Sequence, residues 1–193
     1  MNVYDFDETI FHPDSSYSFF LFCLRHYPRA VMKALPKSLI EAMKYSFLPL
    51  KKEKKDAKKL KEALFSYLNR IGDVHETVSA FWEEKYDEGI ASWYLLQKKS
   101  DDLIISASPF FLLEPAAEKL GVCLLATDMN PYTGKISGRN CHDEEKVRRF
   151  REAFPGERVE EFYSDSLCDT PMARIAERAF LVRGEERIPW PTA

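Results

Sequence analysis

The chain has 193 residues, 45% of them hydrophobic and 31% charged, which is the composition of a globular protein long enough for one well-buried domain or a core domain carrying an insert. A net charge of -3 and a pI near 5.9 remove the electrostatic reason to expect nucleic acid as a partner. The longest apolar run, Phe19 to Leu24, is far short of the roughly 20 residues that span a bilayer; with four scattered cysteines and no basic-then-apolar leader, the chain reads as cytoplasmic.

Asn2-Val3-Tyr4 predicts a short first strand, and it runs directly into Asp5-Phe6-Asp7-Glu8-Thr9. Two carboxylates at i and i+2 on a turn leaving a strand can converge on one reacting atom, one as a nucleophile and the other as a proton donor. The competing reading is a surface turn opened by acidic residues. Asp14 or Ser15 then supplies a helix N-cap, and Phe19, Phe20, Leu21, Cys23 and Leu24 form the apolar stripe of a helix interrupted at Tyr27-Pro28. His12, in the preceding loop, reads as a solvated histidine.

From Ala30 to Trp93 the pattern is helical without a convincing strand. Leu35, Leu39, Ile40, Met43 and Phe47 recur at helical spacing, as do Leu60, Leu64, Tyr67, Leu68 and Ile71, with breaks at Pro36, Pro49 and Gly72-Asp73. A further helix starts at Asp73, carries Val74, Val78, Phe81 and Trp82 on one face, and ends at Gly89. Lys51 to Lys61 holds seven lysines. This run reads as a solvated helix face; a membrane-surface contact is the alternative, because a basic patch beside apolar residues attracts anionic lipid.

The texture changes at Asp102. Leu103-Ile104-Ile105-Ser106-Ala107-Ser108-Pro109 predicts a buried strand that stops on small hydroxyl residues, followed by a helix over Phe110 to Leu120 and a strand over Val122 to Ala126. Asn130 to Gly134 is a turn from which Lys135 to Gly138 returns as a small hairpin. His142 to Glu145 opens a helix carrying Lys146, Val147 and Phe150 that breaks at Pro155-Gly156. Val159 to Tyr163 is a strand, Ser164 to Asp169 a loop, about Thr170 to Arg178 a helix, and Ala179 to Val182 the last strand. The remainder, Gly184 to Ala193, reads as a polar loop whose Ile188 and Trp190 pack back onto the core. Alternation of strand and helix after Leu103 predicts an α/β fold, a Rossmann-like doubly wound parallel sheet that binds ligands at the carboxyl ends of its strands. Asp5, Ser106 and Asp165 all fall at such ends.

Asp5-Phe6-Asp7-Glu8-Thr9, Ser106 after an apolar strand, Lys146 opening a helix and Asp165-x-x-x-Asp169 resemble, in order, the four motifs of the haloacid dehalogenase (HAD) superfamily. The helical insert resembles the cap of its phosphoserine phosphatase-like branch. That resemblance implies an α/β core formed by residues 1–11 and 101–193, with an all-helical cap over 12–100. It implies a magnesium-dependent phosphomonoester hydrolase in which Asp5 attacks phosphorus to give an aspartyl phosphate, and Asp7 protonates the leaving oxygen and later activates water, its pKa above that of Asp5. Ser106, Ala107 and Lys146 would bind phosphate. Asp5, Asp7 through its backbone carbonyl, and Asp165 would hold Mg2+, with Asp169 and Thr9 in support. Asp14 and Ser108 are candidate substrate contacts.

Two departures from the pattern stand out: Glu8 replaces the frequent glycine after the second aspartate, with its side chain expected to point away, and Ser164 replaces the glycine before the last motif. The implied substrate is a small phosphorylated metabolite such as phosphoserine or phosphoethanolamine. Because residues 31–69 contain lysine but no arginine to clamp a carboxylate, phosphoethanolamine escapes an objection that phosphoserine meets. A lipid phosphate monoester at a membrane surface, and a binding module that has lost the reaction, are the alternatives.

Overall fold

The computed structural model describes residues 1–34 and 54–191. Its centre is one six-stranded sheet of β1 (Val3–Tyr4), β2 (Leu103–Pro109), β3 (Cys123–Thr127), β4 (Val159–Ser164), β5 (Ala176–Arg183) and β6 (Glu186–Pro189). The strand order is β3-β2-β1-β4-β5-β6, parallel except for β6. The strand order reverses at β1, which lies between β2 and β4, and a sheet wound in this way leaves a crevice beyond the carboxyl ends of its strands at the reversal. β2 opens on the apolar run Leu103-Ile104-Ile105 because both faces are covered there. Tyr4 and Ile104 join one buried cluster, whereas Val3, Leu103, Ile105 and Phe162 join the other.

Helices α1 (Ser15–His26), α2 (Lys54–Leu64), α3 (Val74–Gly89) and α4 (Ser92–Gln97) separate β1 from β2, and residues 28–34 are also helical. Asp14 caps α1 by accepting the Tyr17 N–H at 2.8 Å, and Asp73 caps α3 through Glu76 N–H at 3.0 Å. The apolar faces of α1 and α3 meet through Phe19, Phe22 and Phe81. Trp82 turns the other way and donates its indole N–H to the Leu112 carbonyl of α5 (Phe110–Leu120) at 2.6 Å. The helical spacing over Leu35 to Phe47, the breaks at Pro36 and Pro49, and Lys51 and Lys52 lie outside the described residues. After α2 the chain tightens into a 3-10 helix over Phe65–Arg70.

Chain enters and leaves this helical segment through two strands of backbone lying side by side. His12 N–H donates to Gly89 O and Ala91 N–H to Ile10 O, each at 2.9 Å. α4 stays with the sheet, its Trp93 and Tyr94 rings packed on Tyr4. Gly89 is required at the crossing: a Cβ there would meet the buried Phe11 ring at 2.1 Å. Gly89→Ala is therefore expected to cost about 1–3 kcal/mol through overpacking, read as a lowered thermal midpoint.

Three expectations are corrected. Residues 186–189 are not a loop but β6, which pairs antiparallel with β5 through the register Phe180↔Pro189 to Arg183↔Glu186. All four residues of β6 are exposed, so it is held by its backbone ladder rather than by an apolar face. The helix expected over Thr170 to Arg178 is the single turn α7 (Thr170–Ala173), because β5 begins early, at Ala176. The hairpin expected at Lys135 reduces to one bridge, Met129↔Ile136. All four cysteines are free.

Candidate active site

Asp5 follows β1 and continues its ladder, donating its N–H to Tyr163 O at 2.8 Å. Alternation along the extended backbone then buries Phe6 against Phe11 and Trp82 and leaves the flanking Asp5 and Asp7 at the crevice. The Phe6 carbonyl accepts from the N–H groups of Thr9, Ile10 and Phe11, closing a tight turn, and Glu8 takes φ 54° within it. Glu8 meets the strain of that conformation with polar contacts, its carboxylate accepting from Asp14 N–H and lying 3.1 Å from His12 Nδ1. Its side chain points to solvent, as expected, and it holds the turn to the start of α1.

The crevice draws the predicted residues together. Lys146, 1% exposed on α6 (Glu144–Ala153), reaches Asp5 Oδ1 at 2.9 Å and Asp169 Oδ2 at 2.7 Å. Ser164 Oγ, also buried, donates to the same Asp169 oxygen at 2.8 Å. Thr9 Oγ1 accepts the Asp165 N–H at 3.0 Å and ties the first motif to the last. In β2 the register to β3 slips between Ile105 and Pro109, so Ser106, Ala107 and Ser108 leave the regular ladder where the crevice opens. Ser106 Oγ accepts from Ser108 N–H at 3.0 Å.

Asp7 is gripped on both oxygens. Oδ1 accepts Ser15 N–H from the first turn of α1 at 2.7 Å, and Oδ2 accepts the Ser108 hydroxyl at 2.5 Å. Asp14 points its carboxylate at its own helix terminus, and its charge is felt at Asp7.

Electrostatics follow from this crowding. Burial pushes Asp5 up to about 7, with Lys146 opposing the rise and Asp169 adding to it. Burial and the Asp14 charge raise Asp7, against the donors Ser108 and Ser15. Asp165 is raised by burial and then by Asp169. Burial alone would discharge Lys146; Asp5 and Asp169 outweigh it and raise its pKa.

Two residues at this crevice escape sequence reasoning. Lys61, on α2, places Nζ 2.6 Å from Ala107 O and 3.3 Å from Asn140 Oδ1, where burial lowers its pKa against the opposing pull of Asp7, Asp14 and Asp5. Asn140 Oδ1 also lies 2.8 Å from Thr127 Oγ1 at the end of β3. Nothing separates Lys61 from its neighbours in a lysine run until α2 is docked. Lys58 makes an exposed contact of the same kind, donating to Gly138 O at 2.9 Å, so the lysine run is not one uniform free face.

A solved structure of a protein of unknown function from Bordetella pertussis Tohama I matches with a TM-score of 0.74 at 22% identity, covering 94% of this chain and 88% of that one. A phosphoserine phosphohydrolase-like protein from Francisella tularensis subsp. tularensis SCHU S4 matches with a TM-score of 0.52 at 13% identity, covering 96% and 88%. A phosphoserine phosphatase solved as a phospho-aspartyl intermediate analogue gives 0.51 at 14%, covering 93% and 84%. These likenesses are of fold. Protein CicA of Caulobacter vibrioides is 35% identical over 98 residues, 47% of this chain, so the matched stretch spans under half, 44%, of that relative. Residues 3–174 match the model of the haloacid dehalogenase-like hydrolase family, and the chain belongs to that family.

Proposed function

We propose that the protein is a phosphomonoester hydrolase working through Asp5 and Asp7. The observation that carries this reading is the unlike treatment of two neighbouring carboxylates: Asp5 is ion-paired to a buried lysine, whereas Asp7, among the described residues, is held by the neutral donors Ser15 N–H and Ser108 Oγ. A cation beside Asp5 favours the charged form that attacks, and burial among neutral donors favours the protonated form that Asp7 needs to donate.

Hydrolysis then proceeds in two displacements. Asp5 forms a bond to phosphorus as the ester oxygen leaves with the proton of Asp7. Water next attacks the aspartyl phosphate while Asp7 takes its proton back, releasing phosphate and restoring both carboxylates. Lys146 and the Ser106 hydroxyl supply positive charge and a donor to the phosphoryl oxygens, and Lys61 adds a second lysine beside Ala107. The lysine on α2 also weakens the objection to phosphoserine raised by the missing arginine, since it can attract an anionic group without a bidentate clamp.

A divalent cation fits the donor set. Lys146 does not offset the burial of Asp5, whose pKa stays near 7, so a further cation beside it is what would hold the nucleophile ionised at neutral pH. Asp5, the Asp7 backbone carbonyl and Asp165 offer the hard oxygen donors that Mg2+ prefers. No cluster of three or more metal-ligating side chains stands preformed among the described residues. When bound, the ion supplies charge neutralisation at the phosphoryl group.

In this proposal the helical segment acts as a cap that moves about the paired crossings at 10–12 and 89–91, with α4 remaining on the core. The test is hydrolysis of p-nitrophenyl phosphate with magnesium and then with chelator. Turnover that chelation abolishes and magnesium restores is expected; turnover indifferent to chelator overturns the metal assignment, and none in any condition overturns the phosphatase reading.

A further inference from the structure

Ser15, Ser16 and Ser108 form a buried hydroxyl cluster against Asp7, at 0%, 6% and 3% exposure. Ser108 Oγ lies 2.5 Å from Asp7 Oδ2, 3.0 Å from Ser16 Oγ and 3.4 Å from Ser15 Oγ. A serine hydroxyl has one proton to donate and two lone pairs with which to accept. When Asp7 is ionised, the Ser108 proton goes to Asp7 and the Ser108 oxygen accepts from Ser16. When Asp7 is protonated, Asp7 can donate to Ser108, whose own proton then turns to Ser16. Either direction is open across the 3.0 Å Ser16–Ser108 contact, so the chain satisfies Asp7 in both protonation states without moving a heavy atom.

We propose that Ser16 is a positioning residue which, through Ser108, holds Asp7 aimed at the leaving oxygen. This rests on the phosphatase reading above and assigns Ser108 to Asp7 rather than to the substrate. A residue that must both give and take a proton needs neighbours able to do the same: alanine at Ser108 removes the hydroxyl donor to Asp7, and alanine at Ser16 leaves the Ser108 hydroxyl only the longer 3.4 Å contact to Ser15. Because Ser15 and Ser16 lie in the first turn of α1 while Ser108 leaves β2, aim is correct only when the helical segment is seated on the sheet. Seating and readiness to protonate become one event.

Leaving-group dependence tests this. The proton from Asp7 matters for a poor leaving group and hardly at all for a good one, and kcat/KM reports steps only through transfer to Asp5. With phenyl phosphate, Ser108→Ala is expected to lower kcat/KM about tenfold and Ser16→Ala about fivefold, while 2,4-dinitrophenyl phosphate changes by less than about twofold. The double variant falls no further than Ser108→Ala, because both act through one chain, and Ser16→Thr restores the phenyl ester. Should Ser16→Ala fail to fold, Ser16→Cys, close in volume and weaker as a donor, is expected to show the same selective loss. Equal losses on both esters, or additive losses in the double variant, overturn the role of Ser16 while leaving the phosphatase reading intact. A wild-type protein inert towards both esters overturns that reading instead, and the positioning role with it.

Discussion

Lys146→Met is expected to lower the thermal midpoint by about 10 °C and to abolish turnover. The ammonium group is buried between Asp5 and Asp169, and its removal leaves two carboxylates facing each other without a cation. Breaking a buried pair from one side costs about 3–5 kcal/mol, and in a chain of this size each kcal/mol moves the midpoint by about 2–4 °C. Adding Asp169→Asn to Lys146→Met should return much of that stability and none of the activity. A Lys146→Met protein as stable as the wild type would show that the pair does not bear on the fold. The expected rescue separates a lysine that merely neutralises from one that also binds substrate.

Much of this arrangement is legible in the sequence, and the reason is local. Asp5, Asp7, Asp165 and Asp169 lie within loops whose spacing survives in the linear chain, and Leu103-Ile104-Ile105 can hardly be anything but a covered strand. What could not be read depends on contacts across the fold. β6 has no apolar alternation to announce it: Glu186, Arg187, Ile188 and Pro189 are exposed, and only the β5 backbone makes them a strand. Lys61 resembles its six companions until the docking of α2 selects it. Glu8 looked misplaced in a turn that favours glycine, yet its carboxylate binds the Asp14 N–H and sits beside His12, local contacts that accompany the positive φ. Asp14, read both as an N-cap and as a substrate contact, does cap α1 through the Tyr17 N–H.

Asp5→Asn should separate activity from stability. Turnover is expected to fall by about a thousandfold or more, because an amide cannot form the acyl phosphate. Stability should move the other way. Burial lifts Asp5 in the folded chain from the ordinary aspartate range to about 7, so the folded state binds this proton more tightly than the unfolded one. The Asp5 contribution is then fullest below about pH 4 and is lost as pH rises through about 7. Asparagine carries no such titration. In metal-free buffer the midpoint of the variant should gain on that of the wild type between about pH 4 and 8, as followed by thermal melts at fixed ionic strength. A constant difference across that range would mean that Asp5 stays ionised in the folded protein, with Lys146 sufficient to hold it so.

The brevity of β1 bears on how the protein is made. Val3 and Tyr4 pair with Leu103 and Ile104 on one side and with Phe162 and Tyr163 on the other. Both partners of the strand that delivers Asp5 are synthesised at least 99 positions after it. At about 5–20 residues per second, this stretch waits roughly 8–30 s before its second neighbour exists. During that wait a Phe- and Tyr-bearing segment has no sheet to join, and contacts of such long sequence separation form slowly even when the chain is complete. Closure of the sheet around β1 therefore waits for β4, and slower translation between β1 and residue 159 lengthens the exposure without hastening the fold.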